Sequence, residues 1–431
     1  MLGFALLATM GLSFYIVRRS LGRELHSPHV ASACLWLLNA SMVTVLLSWY
    51  VGYGAGWSGF LPLAFFPADA WPVWSAGIFL SGQLLLGLAF LTFSLEILIT
   101  VFSRPEGTSR LSLGAATGFD SWSSSRPPRP PIGLVGTVTS AILLLIAGVA
   151  FLVYVAGGTL PLGAPSLGAS WLSQQSPFWV LGHPVGFFVL LPLLGLLHEH
   201  IAGAAGRDVG TWAYRAFPLF FVLNLAVFTQ YVAPNPADPV FLNPLARGAL
   251  IAMIIPGAMA FVTAVGYLQG AKMTWSLASA FFVAGLVGLV LGGLLGVASA
   301  LPSVGAVLAG TLTVSAHVHL TMLAGTVLML FGAMYLLLGQ GFGWIYSRTL
   351  GWMHLAASVT GGLGFALLLN LLGFAGLPRA LAIVSPAPIP GPGFGLFFGV
   401  TFGIGQLLFL VNLLSTVYRA PRTTGAPVPA H

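Results

Sequence analysis

Charge is what this sequence has least of. Only 5% of its 431 residues are Asp, Glu, Lys or Arg, against roughly 25% in ordinary soluble domains. The 15 basic residues include a single lysine, Lys272, and there are 8 acidic residues. So few charges cannot keep a soluble surface of this size in water, which excludes a soluble enzyme. Disorder is excluded as well, because disordered chains are poor in apolar residues and 58% of this one is hydrophobic. Cysteine is nearly absent too. With Cys34 alone, an intramolecular disulfide and any cysteine-based metal or cluster site are ruled out.

What is present is apolar sequence in long unbroken runs such as 277–300. In a bilayer only helices and closed barrels satisfy the backbone, and barrel strands alternate polar and apolar residues. The runs do not alternate, so the chain is expected to be an all-α polytopic membrane protein. A helix needs about 20 apolar residues to cross roughly 30 Å of hydrocarbon. That length marks about eleven transmembrane helices: 2–17, 32–54, 73–101, 133–156, 174–200, 211–233, 247–269, 277–300, 311–338, 350–374 and 392–418. The first is short, but Arg18, Arg19 and Arg23 follow its apolar stretch. A signal peptide has its basic residues in front, so a retained helix is expected.

Basic residues collect in cytoplasmic loops. With the N-terminus outside and the C-terminus cytoplasmic, the inner loops hold Arg18, Arg19, Arg23, Arg104, Arg110, Arg126, Arg129, Arg207, Arg215, Lys272, Arg348, Arg419 and Arg422. The outer loops hold only Arg247 and Arg379. This asymmetry supports both the count and the orientation. It also explains the net charge of +7 as topology, with no nucleic-acid partner. One transmembrane domain is expected over 1–431, with a Ser/Pro/Arg-rich flexible cytoplasmic loop at 103–131 and a disordered tail at 420–431.

Polar residues inside a membrane are costly and therefore functional candidates. Among nine histidines, His26, His29 and His431 lie in loops or the tail. His198 and His200 bracket Glu199 at an inner helix end, and His354 opens the tenth span. Snorkelling to the headgroups is the expectation for all three. His183 and the pair His317/His319 lie several residues inside the hydrocarbon. Residues two apart are turned by roughly 200° on a helix, so His317 and His319 cannot share one metal ion. They can serve two cofactors on opposite faces, and imidazole is a common axial ligand of haem. The alternative is that each only hydrogen-bonds a neighbouring helix.

Five motifs in order carry a resemblance. Ser315-Ala316-His317-Val318-His319-Leu320 resembles the tenth helix of haem–copper oxidase subunit I, where the family has Ala-His-Phe-His-Tyr. Phe178-Trp179-Val180-Leu181-Gly182-His183-Pro184 resembles its sixth helix, Phe-Trp-Phe-Phe-Gly-His-Pro. Gly373-Phe374-Ala375-Gly376-Leu377-Pro378-Arg379 is similar to Gly-Leu-Ala-Gly-Met-Pro-Arg-Arg. Ile254-Ile255-Pro256, and Gly56-Trp57 near Leu61-Pro62-Leu63, also fit. The resemblance runs from about Tyr15 to Arg419 and implies a subunit I-like bundle. It implies that His317 holds the high-spin haem, His319 the low-spin haem, and Arg379 haem propionates. His183 becomes one of three histidine ligands of a copper ion.

Departures from the family pattern bear on activity. The family's other two copper ligands, a His-His pair, fall at about Val227 and Phe228 in Asn224-Leu225-Ala226-Val227-Phe228-Thr229. Where many members have Glu-Val-Tyr after His-Pro, this chain has Val185-Gly186-Phe187. The proton-channel Lys is replaced by Ala260 or a neighbour, and the second propionate arginine by Ala380. Tyr15-Ile16-Val17 and Gly22-Arg23-Glu24 resemble the inner end of the family's second helix. The family's other low-spin ligand then falls a few residues before Met1. A start further upstream, a helix from another subunit, or loss of the low-spin haem would each account for that.

The resemblance therefore implies a membrane haem protein of a respiratory electron-transfer complex, of the dioxygen-reducing cytochrome c oxidase type. One or two haems of unknown type are expected, copper is doubtful, and so is oxidase turnover. Its setting is the bacterial plasma membrane. Its partners are lipid and other subunits such as a cupredoxin-like or cytochrome c-type electron donor. The alternative is a non-catalytic scaffold or electron-conduit subunit. A transporter needs paired charges or broken helices near the midplane, and Glu96 is the only carboxylate that comes close.

Overall fold

The computed structural model describes residues 2–51, 73–103, 111–123, 129–163, 176–228, 244–378 and 392–419. Among them ten helices are long and apolar enough to cross a membrane, and Thr211–Val227 is a shorter apolar helix. Together they match the eleven expected spans segment by segment. Among the described residues there is no strand, only an isolated bridge between Thr311 and Pro378. The chain is an all-helical integral membrane protein. By its internal contacts the chain divides into two compact units: Met1–Pro192 with Asn224–Ala246, and Leu193–Leu223 with Arg247–His431.

The first unit is built on α1 (Leu2–Leu21), α2 (Pro28–Tyr50), α3 (Val73–Phe102), the short α4 (Leu113–Thr117) and α5 (Ile132–Gly163). Helix α6 (Ser176–Ala204) begins in this unit and passes into the second at Pro192. Its core is aromatic, with Phe93 5.2 Å from Phe14 and 5.3 Å from Phe188 between ring centroids. Within the loop expected to be a flexible linker, α4 is capped by the Ser112 hydroxyl, which accepts the Ala115 N–H, and ends at Gly118 with φ 84°. A polar cap and a left-handed glycine are the ordinary start and stop of a helix.

The turn between α1 and α2 is tied down by α3. Ser27 caps α2 and Pro28 sits in its first turn, where a missing N–H costs nothing. Glu96, buried on α3, accepts the Ser27 N–H at 2.7 Å and the Thr100 hydroxyl at 3.3 Å. Arg23 donates to the carbonyls of Thr100 and Ser103. The one carboxylate that could have suggested transport is thus engaged as a cap. Replacing Glu96 by Leu strands these donors and is expected to destabilise the protein by about 1–3 kcal/mol. Glu96→Gln, which keeps an acceptor, is expected to melt close to the parent. Thermal unfolding in detergent separates the two, and a Leu variant that melts with the parent refutes the cap.

The second unit takes in α7 (Thr211–Val227) as far as Leu223 and α8 (Pro244–Ala252) from Arg247, then α9 (Ile254–Leu268), α10 (Leu277–Ala300), α11 (Pro302–Leu308) and α12 (Leu312–Val318). Helix α12 runs on as a π-helical stretch, His319–Val327, into α13 (Leu328–Leu336) and a second π stretch, Leu337–Gly341. Helices α14 (Arg348–Phe374) and α15 (Pro392–Arg419) complete it. The span 244–268 is broken at Met253 because Pro256 has no N–H for the Ala252 carbonyl and its ring clashes there. Glycines bring α14 against α15: a Cβ at Gly361 would lie 2.3 Å from the Phe402 nitrogen. Small residues permit such approach inside a membrane.

Two histidines expected to snorkel do not. His354 is fully buried, 4.5 Å from Phe331 and 4.9 Å from Phe281 between centroids, with Nδ1 3.1 Å from the Tyr335 hydroxyl. It lies two turns inside α14, enclosed by these rings. His198 is also fully buried, edge-on to Tyr267 at 5.8 Å. His200 is half-buried, with Nε2 3.0 Å from the Ser279 hydroxyl.

Candidate cofactor site

Helix α10 packs along a glycine seam against α12, the π-helical stretch that follows it and the start of α13. Gly288, Gly292 and Gly296 recur at every fourth residue of α10, and Gly285 extends the row. Each meets a successive turn of the facing helix. A Cβ at Gly285 would lie 2.6 Å from Met329 Cγ, at Gly288 2.2 Å from the Ala324 oxygen, and at Gly292 2.5 Å from Thr321 Cγ2. At Gly296 it would lie 2.6 Å from Cε1 of His317. The imidazole of His317 therefore occupies room that only a glycine leaves. This Gly-x3-Gly-x3-Gly row stands openly in the apolar run and is a known signal of close helix packing.

Two backbone carbonyls fix the imidazoles. His317 Nδ1 lies 2.8 Å from the Gly292 carbonyl oxygen, and His319 Nδ1 lies 2.7 Å from the Ser315 carbonyl oxygen. A carbonyl oxygen only accepts, so in both rings the proton sits on Nδ1. In the neutral imidazole Nε2 then carries the lone pair, which is the arrangement a metal-binding histidine needs. The rings face different neighbours, as the rotation between positions two apart demands. His317 is against α10, whereas His319 is edge-on to Phe365 of α14 at 5.3 Å.

The helix changes character at this point. From His319 to Val327 it is π-helical, and the Thr326 hydroxyl accordingly donates to the carbonyl of Thr321, five residues back, at 2.8 Å. Such stretches are rare and concentrate at functional sites. The far ends of α12 and α14 are pinned together. The Leu312 N–H donates to the Leu377 carbonyl at 2.9 Å beside the Thr311–Pro378 bridge. Arg379 follows directly but lies outside the described residues, as do Gly56, Trp57 and 61–63.

His183 belongs to the first unit. Its Nδ1 is 2.9 Å from the Asn224 side-chain oxygen, and Asn224 is buried. The positions three and four residues further along, Val227 and Phe228, are hydrocarbon. Among the described residues no group of three or more His, Cys, Asp and Glu side chains is placed to hold a metal ion. Asn224 was not singled out in the sequence, because an asparagine near a helix end has no spacing signature. Ala260 is buried on α9, and no lysine stands near it in sequence.

Known proteins resemble this chain along nearly its whole length. A model of the family Cytochrome C and Quinol oxidase polypeptide I matches residues 1–390. Cytochrome c oxidase subunit 1 of Alkalihalophilus pseudofirmus is 24% identical over 429 residues, covering 96% of this chain and 65% of that protein. Alternative cytochrome c oxidase subunit 1 of Bradyrhizobium diazoefficiens is 22% identical, covering 97% of this chain and 72% of that protein. The chain thus spans about two thirds of the length of these curated relatives. The structure of a heme-copper terminal oxidase dimer, solved by cryo-EM, has the same fold. It aligns with a TM-score of 0.74 and 21% identity over 98% of this chain and 76% of that one. This chain is a member of the cytochrome c and quinol oxidase polypeptide I family.

Proposed function

We propose that the chain is a haem-binding, subunit I-type protein of a respiratory electron-transfer complex in a bacterial plasma membrane, passing electrons without effective dioxygen reduction. The observation that carries this reading is the Nδ1–H tautomer that the Gly292 and Ser315 carbonyls impose on His317 and His319. Both rings offer Nε2 as the ligand atom, and the glycine seam leaves room for the first of them. His317 and His319 would hold haem, Arg379 would neutralise its propionates, and the bound iron supplies a one-electron couple.

The donor set does not fit copper. A three-imidazole site needs three imidazoles, and of the three positions only His183 supplies one, whereas Val227 and Phe228 have no donor. Val185, Gly186, Phe187 and Ala260 hold no proton where the family resemblance expects a carboxylate, a tyrosine and a lysine. The partners are lipid and a cupredoxin-like or cytochrome c-type donor, with the N-terminus outside and the C-terminus cytoplasmic. Dithionite-reduced minus oxidised spectra of the purified protein are expected to show haem bands, and metal analysis far less than one copper per chain. A protein without haem from haem-replete cells overturns the haem assignment. Stoichiometric copper with steady dioxygen uptake overturns the rest.

A further inference from the structure

The second unit carries a groove of about 630 Å³ that no part of the haem reading uses. Its floor is one face of α9, where Met259, Val262, Thr263 and Gly266 follow helical spacing. This face belongs to a span, and Val262 is 65% exposed on it. The mouth is charged, with Arg207 and Asp208 in the loop between α6 and α7. Arg207 donates to the carbonyls of Gly266 and Gln269, which fixes the guanidinium at the C-terminal end of α9. Those bonds use two of its five N–H donors. Asp208 is exposed and does not pair with it: the ion pair among the described residues is Arg18–Glu24.

A fixed cation, a carboxylate beside it and an apolar trough running into the bilayer match one kind of molecule. We infer that the groove binds a zwitterionic aminophospholipid, phosphatidylethanolamine, with its phosphate on Arg207, its ammonium on Asp208 and an acyl chain along α9. A net anionic headgroup such as phosphatidylglycerol is repelled by Asp208. The quaternary ammonium of phosphatidylcholine has no N–H to donate to that carboxylate. Lipid is favoured over a water-borne ligand because the floor is an exposed apolar face of a helix long and apolar enough to cross a membrane. Trp212 on the rim, 55% exposed, suits the headgroup region.

The test uses the whole purified protein, delipidated in detergent and offered phosphatidylethanolamine, phosphatidylcholine and phosphatidylglycerol in equal amounts, with bound lipid read by native mass spectrometry. Phosphatidylethanolamine is expected to be retained about tenfold over the others, the equivalent of one charge-assisted hydrogen bond. Asp208→Asn is expected to erase the preference over phosphatidylcholine. A Cβ at Gly266 meets nothing within 4 Å, so Gly266→Leu is expected to fill the trough and abolish binding with the melting temperature unchanged. This second variant decides the matter should Asp208→Asn disturb the loop between α6 and α7. Equal or tighter binding of phosphatidylglycerol, parent-like binding by Gly266→Leu, or a groove that takes no lipid of any class overturns the proposal.

Discussion

Replacing His317 by alanine is expected to remove one haem from the purified protein, while replacing His319 leaves that haem in place. The reason is that the two rings are held by unrelated contacts. His317 leans on the Gly292 carbonyl of α10, and His319 on the Ser315 carbonyl of its own helix with Phe365 of α14 at its edge. Nothing in this arrangement makes one ring depend on the other. A third variant isolates positioning from ligation. Gly296→Ala keeps both histidines but puts a methyl 2.6 Å from Cε1 of His317, well inside the ordinary contact of about 3.5–4.0 Å. Displacing a ligand through its surroundings typically costs about 10- to 100-fold in metal affinity. Gly296→Ala is therefore expected to lose the same haem as His317→Ala, more partially, and to spare the other. Haem per chain and the reduced spectrum of each variant check this. Loss of all haem in both single histidine variants, or full haem in His317→Ala, refutes independent ligation.

The elements were legible in the sequence because each span is an apolar run of the required length. The break at Met253 was not read within the expected span 247–269, although Pro256 accounts for it. The opposite facing of His317 and His319 was legible, since rotation per residue is fixed by helix geometry. Other features depend on which helix lies opposite, which no local pattern encodes. Asn224 meets His183 across 41 positions of sequence. His198 and His354 stood near helix ends, where snorkelling is ordinary, yet Tyr267, Phe281 and Phe331 close over them. The π-helical turn at His319 left no mark either, because its residues, His-Leu-Thr-Met-Leu-Ala-Gly-Thr-Val, would suit an α-helix as well. Leu377 and Pro378 are held to Leu312 and Thr311, and Arg379 lies outside the described residues.

The glycine seam yields the largest structural effect. Gly288→Ala is expected to lower stability by about 3 kcal/mol, the upper part of the usual range for overpacking. The methyl would lie 2.2 Å from the Ala324 oxygen and 2.4 Å from its carbonyl carbon. Both are backbone atoms, so no rotamer change can relieve the clash, and α10 must move away from the π-helical stretch. That movement also carries the Gly292 carbonyl away from His317, so haem is expected to fall together with stability. Gly293, one position past the seam, provides the control. A Cβ there meets nothing within 4 Å, and alanine in a helix is better than glycine by about 0.5–1 kcal/mol. Gly293→Ala is therefore expected to melt at or above the parent temperature with full haem. The two variants add the same methyl to the same helix, so composition and propensity cancel between them. Thermal unfolding and haem content in one detergent read the difference. Equal melting of both variants would mean that α10 and the histidine helix do not approach as closely as the seam requires.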